Sequence, residues 1–136
     1  MVMSQESAEQ LIRRMYERWN AEGVSAAADD FFDVDVEYED DSVWPGGGAH
    51  VGRPAVVARF EEVISTLGLR EAVVERVVDT GEDAAWVIRA NGRSPGADVP
   101  SEHRWGYVGR IANGRLTRFR AYYRAEDALD AVGQAE

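Results

Sequence analysis

The 136-residue sequence contains no cysteine. That excludes disulfides, thiolate metal sites and thiol nucleophiles, so any redox chemistry would need a bound cofactor. No stretch approaches the ~20 apolar residues that a bilayer-spanning helix requires. The opening Met1-Val2-Met3-Ser4-Gln5-Glu6-Ser7 lacks both the basic start and the apolar run of a secretory leader, so a cytoplasmic location and no membrane partner are expected. Positive charge is scarce: 15 basic against 25 acidic residues give a formal net charge of -10. Such a balance repels phosphate backbones and anionic lipid, and nucleic acid is not an expected partner. Two isolated histidines, His50 and His103, do not make a tetrahedral ligand set, so no metal site is expected. Gly46-Gly47-Gly48 is followed by no Lys-Ser or Lys-Thr, and no GxGxxG stands between a strand and a helix, which leaves nucleotide binding unsupported. Ser42, Ser94 and Ser101 sit in no G-x-S-x-G elbow, and no cofactor is implied.

What is present is globular. Hydrophobic residues make up 45% and charged residues 29%, too apolar for a disordered chain, and the length suits one domain over 1–136. Arg104, Arg110, Arg115, Arg118, Arg120 and Arg124 crowd the last third and read as one solvated or dimer-facing sheet surface.

Periodicity orders the elements. Ala8, Leu11, Ile12, Met15 and Trp19 recur at helical spacing after a Ser7/Gln10 capping box, and Gly23 stops the helix. Ser25 is placed to cap a second, shorter helix reaching Phe31 and Phe32. Val34, Val36 and Tyr38 then alternate with acidic residues as a strand, and Trp44 to Gly48 is loop. Pro54 opens a third helix carrying Val56, Val57, Phe60, Val63, Ile64 and Leu67, ended by Gly68. Period two takes over for strands near 69–78, 84–93, 101–112 and 116–124. They are broken at Thr80-Gly81-Glu82-Asp83, at Ser94-Pro95-Gly96 and at the hairpin signal Asn113-Gly114. A short helix from about Glu126 to Val132 closes the pattern. The expected fold is α+β: three N-terminal helices gathered on one face of a curved antiparallel sheet, enclosing a pocket, with a short C-terminal helix.

Alternation turns His103, Trp105, Tyr107 and Ile111 to one face of the third long strand, Phe119, Ala121 and Tyr123 to the same face of the last, and Trp86 and Ile88 to that face of the second. With Tyr16, Trp19, Phe32, Tyr38 and Trp44 these rings form the candidate ligand-binding set. Taken singly, each ring is ordinary core. Taken together, a stripe of His, Trp and Tyr brings polar tips that need partners when buried, and apolar walls with a few convergent polar groups describe a small-molecule site.

The order of elements and several phrases resemble the SnoaL-like polyketide cyclase family, within the nuclear transport factor two-like superfamily. The phrases are Tyr16-Glu17-Arg18-Trp19-Asn20, Asp33 through Tyr38, His50-Val51-Gly52-Arg53-Pro54-Ala55-Val56 at the opening of the third helix, Asn113-Gly114-Arg115-Leu116, and Arg120-Ala121-Tyr122-Tyr123 on to Val132-Gly133. The resemblance implies a cone of helices over a curved sheet, a pocket at its wide end, and frequent homodimers through the outer sheet face. It implies no single reaction, because the superfamily holds cyclases, epoxide hydrolases, ketosteroid isomerases, dehydratases and binding proteins. Where the hydrolase and cyclase branches carry an acid or base Asp on the last strand, this chain has Ala121. Where the isomerase branch carries its base after Val36-Glu37, it has Tyr38, and the oxyanion-hole Asp falls near Gly106 or Tyr107.

Proton transfer is left to other groups. His103 on the inward face is a candidate general base, or a hydrogen-bonded histidine that shapes the pocket; His50 reads as a loop or helix-opening contact. Asp40, on the face of Val36 and Tyr38, is a partly buried catalytic carboxylate with a raised pKa or a solvated strand-end residue beside Glu39 and Asp41. The sequence thus supports binding of a small, apolar, ring-bearing molecule, with isomerisation, cyclisation or hydration resting on His103 and Asp40. The alternative is a noncatalytic dimeric binding or interaction module whose pocket is vestigial or filled by its own Trp and Tyr side chains.

Overall fold

The computed structural model describes residues 7–44 and 47–133. Helix α1 (Ala8–Glu22) begins with the expected capping box: the Ser7 hydroxyl accepts from the Gln10 amide at 3.1 Å, and the Gln10 side chain accepts from the Ser7 amide at 3.0 Å. Leu11, Ile12, Met15 and Tyr16 form its buried stripe. Helix α2 (Val24–Phe31) follows at once, with Gly23 as its N-cap and no side-chain capping bond. Ser25 therefore lies inside the first turn and is not the cap, because Gly23, with φ of 98°, turns the chain directly from one helix into the next.

Strand β1 (Phe32–Glu39) pairs antiparallel with a short strand β2 (Ala49–Val51), and α3 (Arg53–Leu67) starts two residues later. His50 and Val51, expected at the opening of the helix, are edge-strand residues; Tyr38 faces His50 in register. Of the loop between, Trp44, Gly47 and Gly48 are irregular as expected, and Pro45 and Gly46 lie outside the described residues. The meander follows as β3 (Leu69–Asp79), β4 (Ala84–Ser94), β5 (Val99–Ala112) and β6 (Arg115–Tyr122), and α4 (Ala125–Ala131) comes last. Asn113 and Gly114 both take positive φ, 55° and 75°, the two-residue turn that matches strand twist.

The sheet order is β2-β1-β6-β5-β4-β3, and the sheet is mixed rather than antiparallel, because β1 lies parallel to β6 with Tyr38 opposite Phe119. Alternation fixes which face a residue takes and says nothing about the direction of a strand's partner. The inner face is as expected: Trp86 stands opposite Tyr107, Ile88 opposite Trp105 and Ala90 opposite His103. Helices α1, α2 and α3 share a core with these residues. Helix α4 does not. It packs Ala125 and Leu129 against Ala85 and Val87, whose parity puts them on the opposite face, so the helices are not all gathered on one side. Two short apolar patches flank a glycine there: a Cβ on Gly106 would lie 2.6 Å from that of Ala128.

Among the described residues, no helix is long and apolar enough to cross a membrane. Gly106→Val drives a side chain into α4 and is expected to cost about 1–3 kcal/mol in urea unfolding; an unchanged midpoint would show that α4 does not seat there.

Candidate functional site

The centre of the molecule is packed with rings. Tyr38, Phe60, Trp86, Tyr107 and Phe119 lie within 4.7–6.5 Å of one another in successive pairs, and the Trp86 indole donates to the Tyr16 hydroxyl at 3.2 Å. Phe32 closes on Phe119, and Trp19 stacks on Tyr16 at 5.3 Å. Of the candidate ligand-binding rings, Tyr16, Phe32, Tyr38, Trp86, Tyr107 and Phe119 are thus buried core. Burial raises the pKa of Tyr16, Tyr38 and Tyr107; beside Tyr38 the Asp40 carboxylate adds to the effect. Each is a neutral phenol: the Tyr38 hydroxyl donates to Asp40, and that of Tyr16 accepts from Trp86.

The last residues of β1 bring a second cluster together. Asp40 is buried, and its carboxylate accepts from the Tyr38 hydroxyl at 2.8 Å and from Arg59 Nε at 2.9 Å, with His50 Nε2 at 3.0 Å. Arg59, on the buried stripe of α3 between Val56 and Phe60, also donates to Glu62 at 2.8 Å. Burial opposes the Arg59 charge, yet the bond to Glu62 and the bond to and charge of Asp40 outweigh it, and its pKa is raised. Asp40 is therefore not the solvated strand-end residue that its acidic neighbours suggested. Its partner histidine is His50, and no hydrogen bond joins it to His103 among the described contacts.

Open space lies beside this cluster. The C-terminal half of α3 buries its apolar side chains only partly: Val63, Ile64 and Leu67 are half-buried, whereas Val56 and Phe60 are covered. The helix stands off the sheet here and leaves a cleft of about 740 Å³, walled by Trp44, Arg59, Val63, His103, Trp105 and Tyr123. A second cleft of about 420 Å³, bordered by Trp19, Phe60 and Ile88, shares Val63 and Trp105 with the first. Trp44 meets Trp105 edge-on at 5.8 Å and Tyr123 at 6.4 Å.

Tyr123 was expected to face inward and is 57% exposed. Strand β6 ends at Tyr122, and the Tyr123 amide turns aside to donate to Asp41 at 2.8 Å, so alternation no longer governs it. It reaches the cleft as a rim residue. The structure thus brings His103 together with Trp44, Trp105 and Tyr123, and Asp40 with His50, Tyr38 and Arg59, and Arg59 is the member of the second group that reaches the cleft. Sequence reasoning missed Arg59 and Glu62. The signal was there: an arginine in the middle of an apolar helical stripe needs a buried partner. All 15 basic residues are arginines, so the chain has no amine for imine chemistry.

This is the NTF2-like α+β arrangement, and solved structures of that type match it over most of the chain. One is a hypothetical protein with a ketosteroid isomerase-like fold from Catenulispora acidiphila, in complex with trimethylamine, at 16% identity, covering 93% of this chain and 95% of that one, with a TM-score of 0.70. An NTF2-like protein from Burkholderia pseudomallei matches at 16%, with 95% and 99% covered and a TM-score of 0.70. TerC, co-crystallised with polyporic acid, matches at 12%, with 91% and 96% covered and a TM-score of 0.70. At these identities the likeness is one of fold. The SnoaL-like domain model matches residues 12–119, and the chain belongs to that family. None of the curated proteins matches the sequence.

Two outcomes are expected from these groups. Asp40→Ala leaves Arg59 buried without its carboxylate and should lower stability by about 3–5 kcal/mol in urea unfolding; a loss below ~1 kcal/mol would place the pair in water. A buried phenol with a raised pKa must stay protonated in the folded state while the unfolded chain ionises near the ordinary tyrosine value of 10.0. Stability is therefore fully present below that pH and lost as pH rises above it, with phenolate absorbance and unfolding appearing together for three of the five tyrosines.

Proposed function

We propose that this protein binds a small, largely apolar, ring-bearing molecule in the cleft between the second half of α3 and the start of β5. The observation that carries this reading is the cleft itself: about 740 Å³, a size suited to a drug-sized ligand, with Trp44, Trp105, Val63 and Leu67 as apolar surface and His103 and Arg59 as polar groups in the wall. That relatives of the same fold hold polyporic acid and trimethylamine supports a small-molecule role.

Isomerisation, cyclisation or hydration of the ligand would need a proton carrier, and His103 is the group placed for it, since imidazole exchanges protons near neutral pH. Asp40 serves that chemistry through Arg59, which it holds in the wall. The same reading places the protein in the cytoplasm, as a single domain without a cofactor. Homodimers would form through the outer sheet face, where Glu37 and Glu39 on β1 lie in register with Arg118 and Arg120 on β6. A two-fold axis can lay one acidic row on the other copy's basic row. The noncatalytic alternative draws support from the rings packed against one another in the centre.

Because Trp44 and Trp105 line the cleft, a ligand should quench or shift tryptophan fluorescence saturably in a screen of polycyclic aromatics, steroids, terpenoids and their epoxides. His103→Ala should then weaken binding or turnover about tenfold more than His50→Ala; equal tolerance of both variants would remove His103 from the site. For the dimer, sedimentation velocity should show twice the monomer mass, and joint Arg118→Glu and Arg120→Glu should halve it. A wild-type monomer at tens of micromolar would end that part of the reading.

A further inference from the structure

Two adjacent aspartates follow β1, and they hold different parts of the cleft. Asp40 turns inward and accepts from Arg59 Nε on α3 at 2.9 Å. Asp41 serves the rim. One of its carboxylate oxygens accepts from the Tyr123 amide at 2.8 Å and the other from the Val43 amide at 3.2 Å, while its carbonyl accepts from the Trp44 amide at 3.0 Å. A short acidic side chain that takes a backbone amide two residues on fixes a turn. Here the same carboxylate also reaches a residue 82 positions away, so the turn after β1 and the end of β6 are tied to one point.

Each tied segment carries a ring of the cleft wall. Trp44 and Tyr123 border the opening, and Trp44 meets Trp105 at 87° and Tyr123 at 85°. Trp105 is buried and fixed within β5. The other two rings stand on irregular backbone, and Tyr123 and Val43 are exposed, so packing does little to hold them. Without the carboxylate, two segments would have to be ordered when a ligand arrives, and that cost is subtracted from affinity. Asp41 is not itself part of the wall.

We propose that Asp41 is the positioning residue of the cleft mouth: it holds Trp44 and Tyr123 edge-on across the opening, so that an incoming ring meets a formed aromatic seat. This rests on the cleft-binding reading above and names the residue that sets its affinity without touching the ligand. The rival is a barrier. In that case the same rings narrow the entrance, and loosening them tightens binding.

The uncharged ring probe N-phenyl-1-naphthylamine, which brightens in apolar surroundings, tests this at a temperature where circular dichroism shows each variant folded. Asp41→Ala should weaken its binding about tenfold. Asp41→Asn, which keeps one of the two acceptor oxygens, should weaken it about threefold. Ser42→Ala, at the exposed neighbour, should leave it unchanged. The indole N–H resonance of Trp44, assigned by its loss in Trp44→Phe, should move in Asp41→Ala. In a protein that also carries Trp44→Ala and Tyr123→Ala, the effect of Asp41→Ala should vanish, because the carboxylate has no ring left to place; an aspartate that acted on the fold alone would cost the same in both backgrounds. If Asp41→Ala does not fold, Asp41→Asn carries the comparison. Wild-type affinity in both Asp41 variants, an unmoved Trp44 resonance, or an undiminished loss in the ringless background overturns the proposal while the cleft reading stands. Tighter binding overturns it in favour of the barrier. A wild-type protein that does not bind the probe removes the cleft reading and this proposal together.

Discussion

The buried carboxylate of Asp40 is the constraint around which this end of the molecule is arranged. It gathers the Tyr38 hydroxyl from its own strand, His50 from the edge strand and Arg59 from α3. Three separate segments are thereby fixed to one point. Taking a carboxylate and a guanidinium out of water is expensive, and their attraction repays it only when the geometry is good and the remaining donors and acceptors are matched. Here they are matched: Nε and Nη1 of the arginine meet two different carboxylates, and the aspartate receives a phenol as well. An apolar substitute for the whole cluster would pack equally well. What it would not supply is an oriented cation in the cleft wall.

The aromatic residues divide into two populations for a reason of packing. Those on the central strands β4, β5 and β6 and on the first half of α3 lie where helices and sheet press together, and their rings interlock. Past Phe60 the helix diverges from the sheet, and among the described residues Trp105 and Trp44 border an open cleft. The same inward alternation therefore yields core at Tyr107 and cleft wall at Trp105, two residues apart on one strand.

Much of this was legible in the sequence. Capping chemistry placed α1, the 3.6-residue period and Gly68 placed α3, and the Asn113-Gly114 pair placed the last hairpin, because each signal is local. The inward faces of β4, β5 and β6 followed from alternation. Illegible were the parallel pairing of β1 with β6, the strand at His50, and α4 on the far side of the sheet. Each depends on which segments meet in space. Alternation also failed at Tyr123, where a side-chain acceptor on Asp41 captured the backbone and ended the strand. In the candidate site, His103 and Trp105 were visible as residues on one face. The Asp40–Arg59 pair was not, since it joins positions 19 apart on two elements whose approach no periodicity encodes.

Ala121 and Tyr38, the positions at which the resemblance led to a carboxylate being sought, are both buried in the ring-packed centre. A carboxylate in the centre would need water or another polar partner, and its neighbours there would be the packed rings of Trp86, Tyr107 and Phe119. The polar groups that reach the cleft lie farther out: His103 on β5 and, held by Asp40, Arg59 on α3. With no lysine and no cysteine in the chain, neither a lysine amine nor a thiol stands in the cleft wall, which offers rings, aliphatic side chains, an imidazole, arginines and carboxylates.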